Sequence, residues 1–458
     1  MPGIGMGWGT AVGVGEQTGG TLGTAAPSYQ IWVPTTAETL KNKRKQEATG
    51  APYASRMDQA LYRGIQENDG NIQLEALPQS LGWLLKAWNG QVTSVALPGT
   101  ITVAPTLAAS TGSGPVAGGY RYKVAAVLSR TLDARKIETN ASPSSNQLTT
   151  SGADLTITVT ITPVTPPTGF TLAGYKIYRT AAGGAAGTEV YRDYQAGAGS
   201  TYADNAATAL QTAIIPQVDM YEHTFTPAAV ATTNPLRPYT IIVNKNNANA
   251  IRFIDARCGK MSLQTGSDPS KAIKMIFDWM ALSATKQSEG SPTYTVEGAC
   301  MPWQTRFGID STLLTQFEGM NLAVDNGLEM LPGMSGSDQF RDVVPANVRK
   351  FTGDFSMGFE NFTYWDKMLA FTTFAILAYL DADDSTPATN ITTPAVVSSW
   401  PKGLQIDIPD CRLTEGAGEQ SGASRLVAKC PFTIQKGATA GYDIRMRLFS
   451  KDVSFPNQ

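Results

Sequence analysis

A single histidine, His223, stands among 458 residues. A Ser-His-Asp or Cys-His arrangement would have to be built on it, and metal sites made of several histidines are excluded. Its context, Tyr221-Glu-His-Thr-Phe225, is strand-like and carries no nucleophile motif, so it reads as a hydrogen-bonded structural histidine. Charge is sparse as well. Asp, Glu, Lys and Arg make up 16%, and the formal net charge is −2. Nothing in that balance resembles the basic surface through which proteins bind duplex phosphates. The four cysteines, Cys258, Cys300, Cys411 and Cys430, are far apart with no C-x-x-C pair. They read as buried free thiols, not as a disulfide framework or a zinc site. The longest greasy stretch, Met368 to Leu380, is interrupted by Thr372 and Thr373. It falls short of the roughly 20 residues a membrane helix needs. The opening MPGIGMGWGTAVGVGEQTGG has no basic segment leading into an apolar one, which predicts no secretory leader and a cytosolic product until assembly.

What is present is Gly, Ala, Thr and Pro, with apolar residues at 42% that tend to alternate with polar ones. This mixture predicts a mainly β protein of two or three domains. Three textures follow one another: residues 1–97, a stretch of short strands over 98–217 rich in Ala, Gly, Thr and Pro, and residues 218–458, which return to the first texture.

The first and third regions carry an internal repeat. In Asn71-Ile-Gln-Leu-Glu-Ala76, residues Ile72, Leu74 and Ala76 share one face of a strand. Pro78 then opens a helix in which Leu81, Leu84, Leu85 and Trp88 share a face, and Gly90 closes it. Later, Phe351, Gly353, Phe355, Met357 and Phe359 alternate with polar or small residues. A short helical pattern follows, with Phe362, Trp365, Met368 and Leu369 on one side. Upstream of each strand lies a polar stretch suited to a long hairpin arm, about 41–64 and 331–350. Downstream, Ile251-Arg-Phe-Ile-Asp-Ala-Arg-Cys258 resembles Leu404-Gln-Ile-Asp-Ile-Pro-Asp-Cys411. Each leads across a Gly/Ser turn into another alternating strand, one with Ile273, Met275, Phe277 and Trp279, the other with Leu426, Ala428, Cys430 and Phe432. The spacing therefore predicts two copies of one unit: residues 1–97 with 218–300, and residues 301–458.

Residues 98–217 interrupt the first copy. Tyr120-Arg-Tyr-Lys-Val124, Leu155-Thr-Ile-Thr-Val159, Gly174-Tyr-Lys-Ile-Tyr-Arg179 and Thr201-Tyr-Ala-Asp204 are spaced as strands of a sandwich. They resemble a bacterial fibronectin type III or immunoglobulin-like module, although the strand at Leu155 lacks the tryptophan common in such modules.

The two-copy core resembles the tail tube proteins of long, non-contractile phage tails. The likeness rests on Gly3-Ile-Gly-Met-Gly-Trp-Gly9 with Gly15-Glu-Gln-Thr18, and on Leu77-Pro-Gln-Ser-Leu-Gly-Trp-Leu-Leu-Lys86. Tyr221-Glu-His-Thr-Phe-Thr-Pro227 and the Val-Pro-Ala segment at Val344 add to it. The resemblance implies packed β-sheets, each unit with a short helix and a long hairpin arm, in subunits that form stacked rings. The inner strands would close into one barrel around a lumen, which removes exposed sheet edges. Six units close such a barrel, so a duplicated chain predicts a homotrimeric ring with pseudo-sixfold symmetry. It also implies DNA and a tape measure protein in the lumen, tail terminator and tail tip proteins as partners, no cofactor, and a place in the virion tail. The sandwich would stand outside the tube. Lys43, Arg44, Arg56 and Arg63 on the first arm, with Arg341 and Arg349 on the second, are candidates for contact between rings. Glu75, Asp354 and Glu360 are candidates for the lumen.

Other motifs have plainer readings. The glycine-rich start has G-x-G-x-G but no flanking strand and helix to make a phosphate loop, so it reads as an assembly arm. Asp381, Asp383 and Asp384 lack the glycine and distal glutamate of a calcium loop and read as a solvated turn. Two rival functions remain at this level. One is a cell-surface or fibre adhesin built of sandwich modules, which the absent leader disfavours. The other is a polysaccharide-degrading enzyme, for which no paired-carboxylate cleft stands out.

Overall fold

The computed structural model describes residues 11–455, apart from 21, 24–28, 49–60, 97–99, 153–154, 206–219, 227–235, 246–249, 267, 269, 289–290, 296, 334–338, 359–362, 383–401, 416, 420–426 and 438–439. The chain opens with β1 (Ala11–Glu16), β2 (Ile31–Val33) and β3 (Thr35–Glu38). A hairpin of β4 (Lys41–Ala48) and β5 (Leu61–Glu75) precedes α1 (Pro78–Asn89) and β6 (Val92–Ala96). The middle holds β7 (Thr106–Ser110), β8 (Gly118–Tyr120), β9 (Tyr122–Arg130), β10 (Lys136–Glu138) and β11 (Leu148–Thr150). It continues with β12 (Thr156–Thr160), β13 (Phe170–Arg179), β14 (Val190–Ala196) and β15 (Thr201–Asp204). Then come β16 (Tyr221–Phe225), β17 (Tyr239–Asn244), β18 (Ala250–Gln264), β19 (Lys274–Ala281) and β20 (Ser283–Gln287). The next run is β21 (Arg306–Ile309), β22 (Thr312–Leu313), β23 (Phe317–Asp325), β24 (Leu328–Pro332), β25 (Phe340–Pro345) and β26 (Lys350–Gly358). Last are α2 (Thr363–Leu369), β27 (Phe374–Asp381), β28 (Gly403–Leu413), β29 (Ala417–Glu419), β30 (Val427–Ile434) and β31 (Arg445–Ser450). The protein is thus mainly β, as its composition and alternation predict.

One strand order occurs twice. Antiparallel pairing runs β2-β1-β17-β18-β19-β5-β3 in one half. It runs β22-β21-β27-β28-β30-β26-β23 in the other. In each half one long strand turns the corner between two layers. The first part of β18 pairs with β17 and β20, and after a bulge at Cys258/Lys260 the strand continues along β19. Likewise β28 pairs with β27 and β31 before meeting β30. The alternation places Ile72, Leu74, Met275, Phe277, Leu322, Val324, Phe355 and Phe432 inward, in one core spanning both halves. The four cysteines are buried and none forms a disulfide.

Helix α1 begins at Pro78, whose missing N–H would have no partner in a first turn. Leu77 provides no side-chain cap. The Glu297 carboxylate does so from a distant segment, accepting the backbone N–H of Gln79 at 2.7 Å and of Ser80 at 3.0 Å. Gly90 ends the helix at φ 85° and donates its N–H to the Lys86 carbonyl. The predicted apolar face is buried, and so is the opposite one. Lys86, 2% exposed, places its ammonium 2.5 Å from Glu16 of β1, whose other oxygen accepts from Arg237 at 2.8 Å. In α2 the predicted face differs. Phe362 lies outside the described residues, and Leu369 is exposed instead of buried.

The middle strands form sheets of their own, β10-β9-β13-β14 and β15-β12-β7, with a small β11-β8 pair. The four predicted strands lie within or overlap β9, β12, β13 and β15. Tyr122, Val124, Ile157, Val159, Tyr175 and Ile177 fill the space between the sheets. The chain leaves for this region after β6 and returns at β16, and those two strands pair directly, Tyr221 opposite Ala96. The region docks on β21, β27 and β31, with Leu132 and Phe170 against Tyr379 and Phe449.

Candidate assembly surfaces

The two halves meet where β16 pairs with β31, Tyr221 opposite Ser450, and along a second antiparallel seam. In it Lys260, Met261, Ser262, Leu263 and Gln264 of β18 pair with Asp325, Val324, Ala323, Leu322 and Asn321 of β23. The result is a long sheet in the order β3/β4-β5-β19-β18-β23-β26-β30-β28/β29. At one end the outer edges of β3 and β4 have no partner strand among the described residues. At the other, the same is true of the edge shared by the end of β28 and β29. Open edges of this kind are templates for pairing with another chain.

One face of the long sheet covers the core and the other is polar. Glu75 and Asp354 both lie on the polar face, in one cross-strand row that runs Glu75, Lys274, Gln264, Asn321, Asp354. The Asn321 side-chain amide donates to the Asp354 carboxylate at 3.1 Å. A second row runs Asp278, Lys260, Asp325, Lys350, alternating in sign across four strands. Burial pushes the Asp278 carboxyl up, and Lys260 opposes the shift. Opposite charges facing across strands each contribute roughly 0.2–1 kcal/mol. No local pattern announces this row, because its members come from four segments that only the fold brings together. The one signal in the sequence is Lys274-Met-Ile-Phe-Asp278, whose alternation sets a charged outward face opposite its apolar inward one. Glu360 lies outside the described residues.

The arms also lie together. The first is the β4·β5 hairpin and the second the β24·β25 hairpin, and an isolated parallel bridge joins Gln66 to Gln339. Lys43 on the first arm pairs with Asp69 at 2.7 Å, and Arg44 lies opposite Gln66. Arg63 stands in β5 opposite Gln46, and Arg56 lies outside the described residues. Arg341 is exposed in β25. Arg349 packs inward, its guanidinium 5.9 Å from the Trp88 ring centroid, and desolvation lowers its pKa.

His223 is fully buried on β16, with Nδ1 2.8 Å from the Ser94 hydroxyl and Nε2 3.3 Å from that of Ser450. Desolvation lowers its pKa to about 4, and the Asp452 backbone partly opposes that shift. As pH falls past the ordinary value of 6.5, the unfolded chain takes up a proton that the folded chain refuses until about 4. Stability should therefore decline across that window by up to about 3 kcal/mol. Denaturant titrations from pH 7 to 4 test this: His223→Gln should remove that component of the slope, and identical slopes would refute it. Asp381 is no solvated turn residue. It is buried against Arg130 and Arg135, whereas Asp383 and Asp384 lie outside the described residues. Among the described residues no three His, Cys, Asp or Glu side chains converge as metal ligands. No described helix is long and apolar enough to cross a membrane.

The sequence matches the phage tail tube protein family across residues 7–410. The chain belongs to that family. Membership makes it a structural tail tube protein, and the family implies a non-enzymatic role, a place in the virion tail and self-assembly into a tube with other tail components. No curated protein matches the chain.

Proposed function

We infer that this tail tube protein forms homotrimeric rings with pseudo-sixfold symmetry, stacked into the tube of a long, non-contractile tail. The observation that carries this reading is the β18·β23 seam. It joins two halves of equal strand order and leaves complementary edges at the far ends of the sheet. Repeating the same antiparallel joint between chains, β28/β29 of one against β3/β4 of the next, closes three chains into a barrel with no edges left. Residues 1–97 with 218–300 form one tube domain and residues 301–458 the other.

The polar face then lines the lumen. Its alternating charges offer sliding DNA no continuous basic track, which suits conduction of the genome, and before ejection a tape measure protein, with little retention. The paired arms, with Lys43, Arg44, Arg56, Arg63, Arg341 and Arg349, are assigned to contact between stacked rings. Arg349 contributes there through the packing of the arm base. Residues 98–217 are assigned as a fibronectin type III or immunoglobulin-like module on the outside. Tail terminator and tail tip proteins cap the ends.

Native mass spectrometry of isolated rings, with image averaging of assembled tubes, tests this. Three chains per ring are expected. Six chains per ring, or a protein that stays monomeric under all tube-forming conditions, would overturn the reading.

A further inference from the structure

We propose that the C-terminal end of α2 is a seat for the base of the first arm of a second copy of this chain, with Asn42 of that copy as the latch. The proposal rests on the ring reading above and specifies one contact within it.

The latch exists once already, inside the chain. Asn326 directly follows β23. Its side-chain amide donates to the Trp88 carbonyl at 2.8 Å and to the Cys258 carbonyl at 3.2 Å, and its backbone N–H donates to Gly259 at 2.7 Å. One asparagine thus ties the second half to the last turn of α1 and to the corner strand β18. Around it Trp88 is 1% exposed.

Each member of this joint has a counterpart elsewhere in the chain. Cys258 in β18 corresponds to Cys411 in β28 by sequence and by position in the strand order. Gly90, left-handed at φ 85°, ends α1 where Phe371, left-handed at φ 55°, ends α2. The Phe371 N–H donates to Met368 and the Thr372 N–H to Lys367, the paired bonds of a Schellman end. Leu369 therefore stands where Trp88 stands. For Asn326 the match is Asn42. Val324 in β23 and Leu40, just before β4, both face the core, Asp325 and Lys41 follow them opposite Lys350 and Asp69, and an asparagine comes next in both places.

What differs is exposure. Leu369 is 66% and Phe371 75% exposed, and Asn42 is exposed at the opposite edge of the sheet. A phenylalanine in the left-handed position after a helix, where glycine is ordinarily found, adds local strain, and in the single chain its ring is mostly left in water. The Arg412 guanidinium lies 5.5 Å from its centroid. A second copy docked as β23 docks on β18 would place its Asn42 amide on the Leu369 and Cys411 carbonyls and cover both apolar side chains.

The test compares wild type, Phe371→Gly and Asn42→Ala. Ring formation is followed by sedimentation and electron microscopy over a concentration series, and the single chains are compared by thermal melting. Wild type is expected to form rings. Phe371→Gly should melt no lower than wild type, because glycine suits the left-handed position, yet need at least about tenfold higher concentration to assemble. Asn42→Ala should raise the threshold similarly, and the double variant less than the product of the two. Rings forming at the wild-type threshold in both single variants would overturn the latch and leave the ring reading standing. A wild-type protein that forms no rings would overturn the ring reading and the latch with it.

Discussion

Asp204→Ala is expected to unfold the two-sheet region around β9, β12, β13 and β15, at a cost of about 3–5 kcal/mol. Asp204 closes β15 and is fully buried. Its carboxylate accepts from the Tyr122 hydroxyl at 2.7 Å, from Arg179 Nη1 at 2.6 Å and from Arg192 Nε at 3.1 Å. Both guanidiniums are largely removed from water, so the aspartate is their counter-ion in a medium of low dielectric. Removing it leaves two cations and one hydroxyl without that acceptor, and an unsatisfied buried donor alone costs about 1–3 kcal/mol. Asp204→Asn keeps the shape and one acceptor oxygen, so its loss should be smaller. Thermal melting combined with hydrogen exchange at Ile157, Val159 and Tyr175 measures both. A melt within about 0.5 kcal/mol of wild type would show that the cluster contributes nothing net.

That cluster also marks how far the sequence could be read. Thr201-Tyr-Ala-Asp204 was legible as a closing strand, because alternation and spacing are local properties. The three donors that converge on Asp204 come from other strands, and nothing in the spacing announces them. The same division holds in the tube core. Ile72, Leu74, Met275, Phe277 and Phe355 face inward as their period of two predicts. Helix α1 begins and ends where Pro78 and Gly90 place it. Lys86 was the residue to mistrust. On an isolated amphipathic helix it would point to solvent, but β1 covers that side and supplies Glu16 from a strand of otherwise apolar and small residues. A charge inside an apolar strand and a lysine within a greasy helix are each weak signals, and together they marked a buried pair.

The candidate surfaces divide likewise. Glu75 and Asp354 were identified from alternation, and they share one row of the polar face. The neighbours that balance them, Lys274 and the Asp278-Lys260-Asp325-Lys350 row, needed the register between strands far apart in the chain. Arg349 illustrates the reverse. Its place in a polar stretch makes it a candidate for contact between rings, and nothing local announces that its guanidinium lies 5.9 Å from the Trp88 ring centroid. Tertiary pairing decides such cases, and a one-residue slip in register would reassign every side chain on the face.

Asp381→Ala is expected to loosen the two-sheet region from the tube core, with a loss of about 3 kcal/mol. Asp381 ends β27 and is almost fully buried. Both of its oxygens accept from Arg130 Nη1, at 3.0 and 3.2 Å, and one also accepts from Arg135 at 3.2 Å. Arg130 further pairs with Asp133, lies 4.3 Å from the Tyr379 ring centroid, and sits at the edge of the Leu132, Phe170, Tyr379 and Phe449 cluster. The clamp therefore combines charge pairing with apolar burial, and Asp133 and Tyr379 retain part of it in the variant. Burial pushes the Asp133 carboxyl up, but Arg130 beside it more than offsets this and holds it below the usual range. Its contribution is thus present above the ordinary aspartate value of 3.8 and is lost as pH falls through the lowered folded value. Wild type at low pH and Asp381→Ala near neutrality should consequently look alike. In both, backbone amides of β9 and β10 exchange faster while those of β5, β19 and β26 keep their protection. Uniform loss of protection throughout the chain would instead mean that the two-sheet region and the tube core unfold as one unit, and the picture of a separately clamped module would fall.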